Sequence, residues 1–142
     1  MKAKTKLNLA VGYTSYIGSN KLNWINSIAT QTKVIYRYCL RNNIKLSAMY
    51  FESSEYEMDY EGYSMNQIAY MIRKHKVSEV ICTDFDKLSL DIFNFPIFIK
   101  FIQEEGVKLT VINKSSRKNQ EFSRFLDEGI QMLEESMALG KI

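Results

Sequence analysis

Three polar stretches, each following a run of strand-forming residues, carry side chains capable of chemistry. In Gly12-Tyr13-Thr14-Ser15-Tyr16-Ile17-Gly18-Ser19-Asn20, the hydroxyls of Ser15 and Ser19 become nucleophiles only if a base and cations stand beside them. The stretch Glu52–Tyr63 brings Ser53 and Ser54 together with five carboxylates (Glu52, Glu55, Glu57, Asp59, Glu61) and no base. Thr83-Asp84-Phe85-Asp86-Lys87-Leu88-Ser89-Leu90 places two carboxylates and an ammonium at a strand end. Such an Asp pair can cap a helix or hold a divalent cation. The first stretch offers no third carboxylate, so no metal site is expected. Neither GxxxxGK[ST] nor a dinucleotide fingerprint is present, because Gly12 and Gly18 stand alone. With one histidine (His75) and two isolated cysteines (Cys39, Cys82), the usual zinc ligand sets cannot be assembled. No cofactor is expected.

The elements that must position these stretches alternate. Strand-like runs fall at Leu7–Tyr13, Ile44–Phe51, Glu79–Thr83 and Val107–Ile112. Between the first two, Ile28, Thr32, Ile35 and Cys39 recur at helical spacing. Ser64-Met65-Asn66-Gln67 has the form of a capping box, and Ile68, Met71 and Ile72 follow on one face. From Asp91 to Glu105 the sequence is apolar nearly all round, which predicts a heavily buried helix with Pro96 in its first turn and Gly106 as its stop. Asn119–Leu139 predicts a final long helix with an apolar stripe of Phe122, Leu126, Ile130, Leu133 and Met137. Alternating β and α elements imply an α/β fold: a three-layer, open, mostly parallel sheet of flavodoxin-like winding, plus the long C-terminal helix. Ligands of such sheets bind beyond the carboxyl ends of the strands, where all three polar stretches lie.

A chain of 142 residues with 46% hydrophobic and 25% charged residues is a single ordinary domain, divisible into an α/β unit (1–113) and a basic segment with the long helix (114–142). Six Gly and one Pro argue for long elements and short loops. No apolar run approaches the roughly 20 residues of a membrane span, and no signal-type segment follows the basic start, so a cytoplasmic location and no membrane partner are expected. The net charge of +3 demands no nucleic-acid partner. Its distribution is uneven: Glu52–Glu61 is acidic and Tyr-rich, whereas Lys114, Arg117, Lys118 and Arg124 form a basic segment.

Taken in order, these pieces resemble the catalytic domain of the serine recombinases, the resolvase–invertase family, from about Leu7 to Asn113. Gly12-Tyr13 ends the first strand where the family has Tyr-x-Arg-x-Ser. Ser27-Ile28-Ala29-Thr30-Gln31 resembles its Ser-Leu-x-x-Gln, and Ser53-Ser54 stands at its Ser-Gly loop. Asp86-Lys87-Leu88-Ser89-Leu90 resembles Asp-Arg-Leu-x-Arg, and Gly106-Val107-Lys108-Leu109 resembles the approach to the last strand. The resemblance implies a dimerisation helix at the end of the domain and a serine that attacks DNA phosphate within an arginine cluster.

At the chemistry itself the chain departs from that pattern. Ile17 occupies the nucleophile slot, Ser15 the first arginine slot and Leu90 a second. Glu61 and Gly62 stand where a further arginine is expected, and only Lys87 keeps a charge, without the bidentate fork. Gln31 and Asp86 remain in matching positions. The resulting expectation is a degenerate site formed by Ser15, Ile17, Ser19, Gln31, Ser53, Asp86, Lys87 and Leu90. The protein would act by self-association or partner association in the recombination of mobile elements such as prophages. Weak, non-specific DNA contacts are expected from Lys114, Arg117, Lys118 and Arg124, since no reading head follows the long helix. The acidic Tyr-rich stretch suits a basic protein partner, and the stripe Phe122, Leu126, Ile130, Leu133 and Met137 suits a dimer. Two alternatives differ in class. One is an active recombinase domain using Ser15 or Ser19, which share a face with position 17 in an extended segment. The other is a flavodoxin-like module whose first loop binds a small anion through backbone N–H groups.

Overall fold

The computed structural model describes residues 9–54, 63–84, 95–113 and 115–138. Their order is β1 (Leu9–Ile17), α1 (Lys21–Arg41), β2 (Lys45–Ser54), α2 (Tyr63–His75), β3 (Glu79–Cys82), α3 (Phe95–Glu104), β4 (Lys108–Val111) and α4 (Arg117–Ala138). The four strands form one parallel sheet in the order β2-β1-β3-β4. The chain therefore winds one way from β1 to β2 and the other way from β2 to β3. Right-handed crossovers then require the first helix on one face and the later helices on the other.

The core confirms this division. Under α1, Ile35 and Cys39 pack with Ala10 and Ile81, joined by Leu46 and Met49. On the opposite face Ile68, Ile72, Phe98, Ile99 and Ile102 pack with Val11, Tyr13, Val80 and Cys82. Alternation along β1 and β3 sends Ala10 and Ile81 to one face and Val11 and Val80 to the other. In β2 the register to β1 slips: Ala10 pairs with Leu46 but Val11 with Ala48. Ser47 is the extra residue, and its hydroxyl donates to the Ala10 carbonyl at 3.0 Å. This bulge lets Leu46 and Met49 both reach the α1 side. Gly12 completes the fit, because a Cβ there would lie 2.6 Å from the Met49 sulfur and 3.1 Å from Ile35 Cγ2.

Among the described residues, one carboxylate lies in this interior. Glu79 is buried and accepts from the Thr110 hydroxyl of the neighbouring strand. The Cys39 thiol on α1 is raised above its ordinary pKa, first by burial and second by the negative charge of Glu79. Cys39 and Cys82 are both buried thiols outside any disulfide.

Several sequence expectations shift by local chemistry. β1 runs four residues past Tyr13, because Thr14-Ser15-Tyr16-Ile17 is rich in strand formers and pairs with Phe51-Glu52-Ser53-Ser54. The strand ends at Ile17, before Gly18, whose φ of +150° is one that side-chain-bearing residues rarely adopt. α2 begins at Tyr63, one residue ahead of the Ser64 capping box. α3 starts at Phe95 with Pro96 in its first turn, and Gly106 follows it at φ +71°. Ile97 is exposed, so α3 is not covered all round; residues 85–94 lie outside the described residues.

The largest correction concerns the final helix. α4 begins at Arg117, capped by Ser116, whose hydroxyl accepts from the Asn119 N–H at 3.2 Å. Ile130, expected in an association stripe without an intrachain partner, is only 8% exposed and belongs to the main core. Lys100 of α3 reinforces the docking, with Glu104 at 3.1 Å and Glu134 of α4 at 3.5 Å. Its ammonium is raised above the ordinary lysine range, chiefly by the hydrogen bond to Glu104. The helix packs because the face left open between α3 and the sheet must be covered. The side chains of Phe122, Leu126, Leu133 and Met137 lie outside the described residues. Ile130→Ala is expected to lower unfolding stability in urea by about 2–4 kcal/mol. Ile130→Glu is expected to unfold the domain, not release a folded monomer. A loss below about 0.5 kcal/mol for Ile130→Ala, the level of an exposed position, would show that α4 is undocked.

Candidate functional site

The winding reverses between β1 and β3, and the crevice beyond their carboxyl ends is where this class of sheet binds ligands. A groove of about 400 Å³ opens there, on the α1 side. Its wall on α1 is Asn26, Ser27, Thr30, Gln31 and Val34; its floor is Thr83 and Asp84 after β3 and Asn113 after β4. Residues at i, i+1, i+4, i+5 and i+8 share one flank of α1, so the helix supplies a continuous side. The turn Gly18–Asn20 starts α1 in register, with the Asn20 side chain accepting from the Asn23 N–H at 3.0 Å.

Gln31 joins the groove to β1. Its amide nitrogen donates to the Ser15 carbonyl at 2.8 Å and to the Ser27 hydroxyl at 3.0 Å. Its amide oxygen accepts from the Ser15 N–H at 3.1 Å. β3 pairs with β1 only at Ala10, Val11 and Gly12. Beyond that point, among the described residues, no strand lies beside the side of β1 that faces away from β2. The Gln31 amide supplies the donor and acceptor that a neighbouring strand would have offered Ser15. Gln31 and Ser15 are both buried.

On the floor, Asp84 is held from two elements. Asn113 donates to its two oxygens at 3.3 and 3.4 Å, and Asn119 of α4 donates at 3.0 Å. Asn119 is 1% exposed and also donates to the Asn113 carbonyl at 2.9 Å. The neighbouring Thr83 is buried, and its hydroxyl has no hydrogen-bond partner among the described residues. The groove thus presents hydroxyls, carboxamides and one carboxylate. Among its described lining residues there is no base. A phosphodiester needs cations where charge develops, and this lining offers it none.

The expected site residues separate accordingly. Ser15 and Gln31 come together, but Ser15 sits inside the sheet, not on a loop. Ile17 is half-buried at the end of β1. Ser19 is exposed just past the Gly18 turn, and Ser53 is exposed in β2 opposite Tyr16. The i±2 argument fails for Ser19, since the strand ends before it. The first stretch is mostly strand, so it is not the N–H-lined anion loop expected of the flavodoxin-like alternative. Asp86, Lys87 and Leu90 lie outside the described residues, as do Lys114, Glu61 and Gly62 and most of the acidic Tyr-rich stretch. Arg117 is exposed and paired with Glu121 at 3.2 Å, and Arg124 is exposed; the Lys118 side chain is outside the described residues. Among the described residues no group of acidic, His or Cys side chains has the geometry to hold a metal ion, and no helix is long and apolar enough to cross a membrane.

Sequence reasoning missed the groove wall (Asn26, Thr30, Val34) and the Asp84–Asn113–Asn119 network. The available signal was Ser116-x-x-Asn119, a helix start directly after the last strand. The Gln31 bridge generates a stability prediction. Gln31→Leu removes the acceptor and the donor that Gln31 offers the buried Ser15 backbone and is expected to cost about 2–4 kcal/mol in urea unfolding. Gln31→Glu keeps the acceptor and loses the donor, so its deficit should shrink as pH falls and the carboxyl protonates. A stability unchanged in both variants would refute the bridging role.

No protein-family profile matches the chain, and no curated protein sequence does. Solved structures match. The N-terminal catalytic domain of TP901-1 integrase superposes with a TM-score of 0.66 at 16% identity, over 92% of this chain and 98% of its own. A resolvase family site-specific recombinase from Streptococcus pneumoniae gives 0.65 at 18% identity, over 95% and 93%. The C-terminal catalytic domain of ISC1926 TnpA, an IS607-like serine recombinase, gives 0.61 at 18% identity, over 83% and 78%. The parallel α/β architecture described above is therefore the serine recombinase catalytic-domain fold.

Proposed function

We propose that this protein is a serine-recombinase-like domain that does not cut DNA and works by association in the recombination of mobile elements. The observation that carries this reading is Ser15. In the slot next to the expected nucleophile, the one buried serine of β1 is clamped by Gln31 on both backbone groups, while Ile17 fills the nucleophile position itself. Covalent catalysis on a phosphate needs an accessible hydroxyl, a proton acceptor and cations, and the described groove supplies carboxamides and Asp84 instead. Association would involve self-pairing or an active recombinase. The basic residues Arg117, Lys118 and Arg124, with Lys114, would add phosphate contacts, and the acidic Tyr-rich stretch 52–63 would add a basic protein partner. The stripe Phe122, Leu126, Leu133 and Met137 shares its helical face with the core residue Ile130, so it would serve a partner only where α4 runs beyond that docking point.

The competing reading is an active recombinase, and exposed Ser19 is the residue that favours it. Incubation with supercoiled DNA carrying mobile-element sites is expected to give no denaturant-resistant protein–DNA adduct. An adduct that disappears in Ser19→Ala would overturn the proposal in favour of strand exchange.

DNA binding itself should be weak, insensitive to sequence and lost steeply with salt. Reversing the charge of Arg117, Lys118 and Arg124 together should lower the slope of log K against log salt by about 2–3, the counterion release of three phosphate contacts. Titration of fluorescent duplexes at several salt concentrations measures this. Tight binding to one sequence at physiological salt would refute it.

A further inference from the structure

Five large apolar side chains lie exposed on one side of the molecule, remote from the groove. Four are on α1: Leu22 (67% exposed), Ile25 (49%), Tyr36 (55%) and Leu40 (67%). At 100° per residue they fall within one stripe, with Ala29 between them, on the flank of α1 opposite to Ser27, Thr30 and Val34. Since that second flank faces β3 and β4 through the groove, the apolar stripe overhangs β2. The fifth is Phe51 of β2, 60% exposed. It pairs with Thr14 and lies two residues beyond Met49, so it projects on the α1 side of the sheet.

β2 is also the edge of the sheet. Over its ten residues, Lys45–Ser54, it pairs with β1, and among the described residues no strand covers its other side. An open edge of this length beside exposed apolar groups is a template for another strand. A soluble chain ordinarily blunts such an edge with charges or a cover.

We infer that the β2 edge and the outer flank of α1 form a two-fold interface with a second copy of this chain. β2 would pair antiparallel with its counterpart, and α1 would pack antiparallel across the seam. Three observations select a second copy as the occupant. First, an antiparallel two-fold centred near Met49 sets Lys45, at one end of the edge, opposite Glu52 at the other, twice over. Second, the same operation keeps both helices on one face of the joined sheet and, because Ile35 packs over Gly12 and Met49, sets the flank of Tyr36 and Leu40 beside the axis and facing its own counterpart. Third, the dimensions fit: ten strand residues and 21 helical residues each span about 30 Å, and two layers of that length match the roughly 800 Å² per partner of a standard interface. α1 carries Lys21, Lys33, Arg37 and Arg41 and no acid, so the rim repels itself and the apolar centre must outweigh it. Added salt screens that repulsion and should strengthen the pair, the reverse of an interface held by surface ion pairs.

This surface is separate from the site and from α4, so the two proposals can fail independently. Sedimentation velocity over a micromolar range is expected to show a monomer–dimer equilibrium. Tyr36→Glu with Leu40→Glu, and separately Phe51→Lys, should weaken it about ten-fold or more, with unchanged circular dichroism and unfolding midpoint because these side chains are mostly solvated. Lys45→Glu and Glu52→Lys should each weaken the dimer and together restore it. Hydrogen exchange should show outward-facing β2 amides protected at high concentration and open at low concentration. A wild-type monomer throughout overturns the inference. So does a dimer that survives the α1 and β2 substitutions; if it then yields to changes on α4, association through the final helix stands and this interface does not.

Discussion

A parallel strand buried on both faces must satisfy every N–H and carbonyl along its length, and in β1 that demand outlasts the sheet. β1 continues alongside β2 to Ile17, whereas its pairing with β3 stops at Gly12. The carboxamide of Gln31 closes the gap at Ser15, bridging helix and strand with a donor and an acceptor in one plane. Much follows from that bridge. It fixes how far α1 leans over the sheet, and thus where Ser27 and Thr30 stand in the groove. It keeps β1 extended up to the Gly18 turn, and thus sets where Ser19 emerges.

The same bridge changes the meaning of a residue that the family resemblance would assign to chemistry. The resemblance puts Gln31 at the glutamine of the serine recombinase helix, and its hydrogen bonds are directed to the Ser15 backbone and to Ser27. Asp84 shows a parallel case: two asparagines from β4 and α4 satisfy a carboxylate at the mouth of the site. Polar residues at the strand ends have become fasteners between layers. Such a site gains order from bridges that tie helix, strand and loop together.

Element type and order were legible because periodicity is a strong signal. Ile68 with Ile72, and Phe98 with Ile102, mark buried helix faces, and Val80-Ile81-Cys82 reads as a strand covered on both sides. Less legible were features that depend on partners distant in sequence. Thr14-Ser15-Tyr16 reads as a polar loop until Tyr50–Ser53 is seen beside it. Ile130 reads as surplus apolar surface until α3 and the sheet are seen to need its cover. Leu22, Ile25, Tyr36 and Leu40 raised no signal, since a helix apolar on two flanks has no single periodic stripe to detect. The serine recombinase fold was legible for a different reason: several weak motifs fell in the right order, and the superpositions bear out the architecture at identities of only 16–18%.

Asn119 and Ile130 pin α4 at two points, one to the end of β3 and one to the core beneath α3. Eleven residues of helix separate them, about 16 Å, so a 1 Å displacement at Asp84 relative to the core would tilt the helix axis by about 3.5°. The helix is in that sense a pointer whose pivot is the core and whose longer arm rests on the floor of the groove. Occupation of the groove, by whatever means it moves Asp84, would be transmitted as a change of angle to the far turns of α4. Direction, not affinity, would then be what the site communicates.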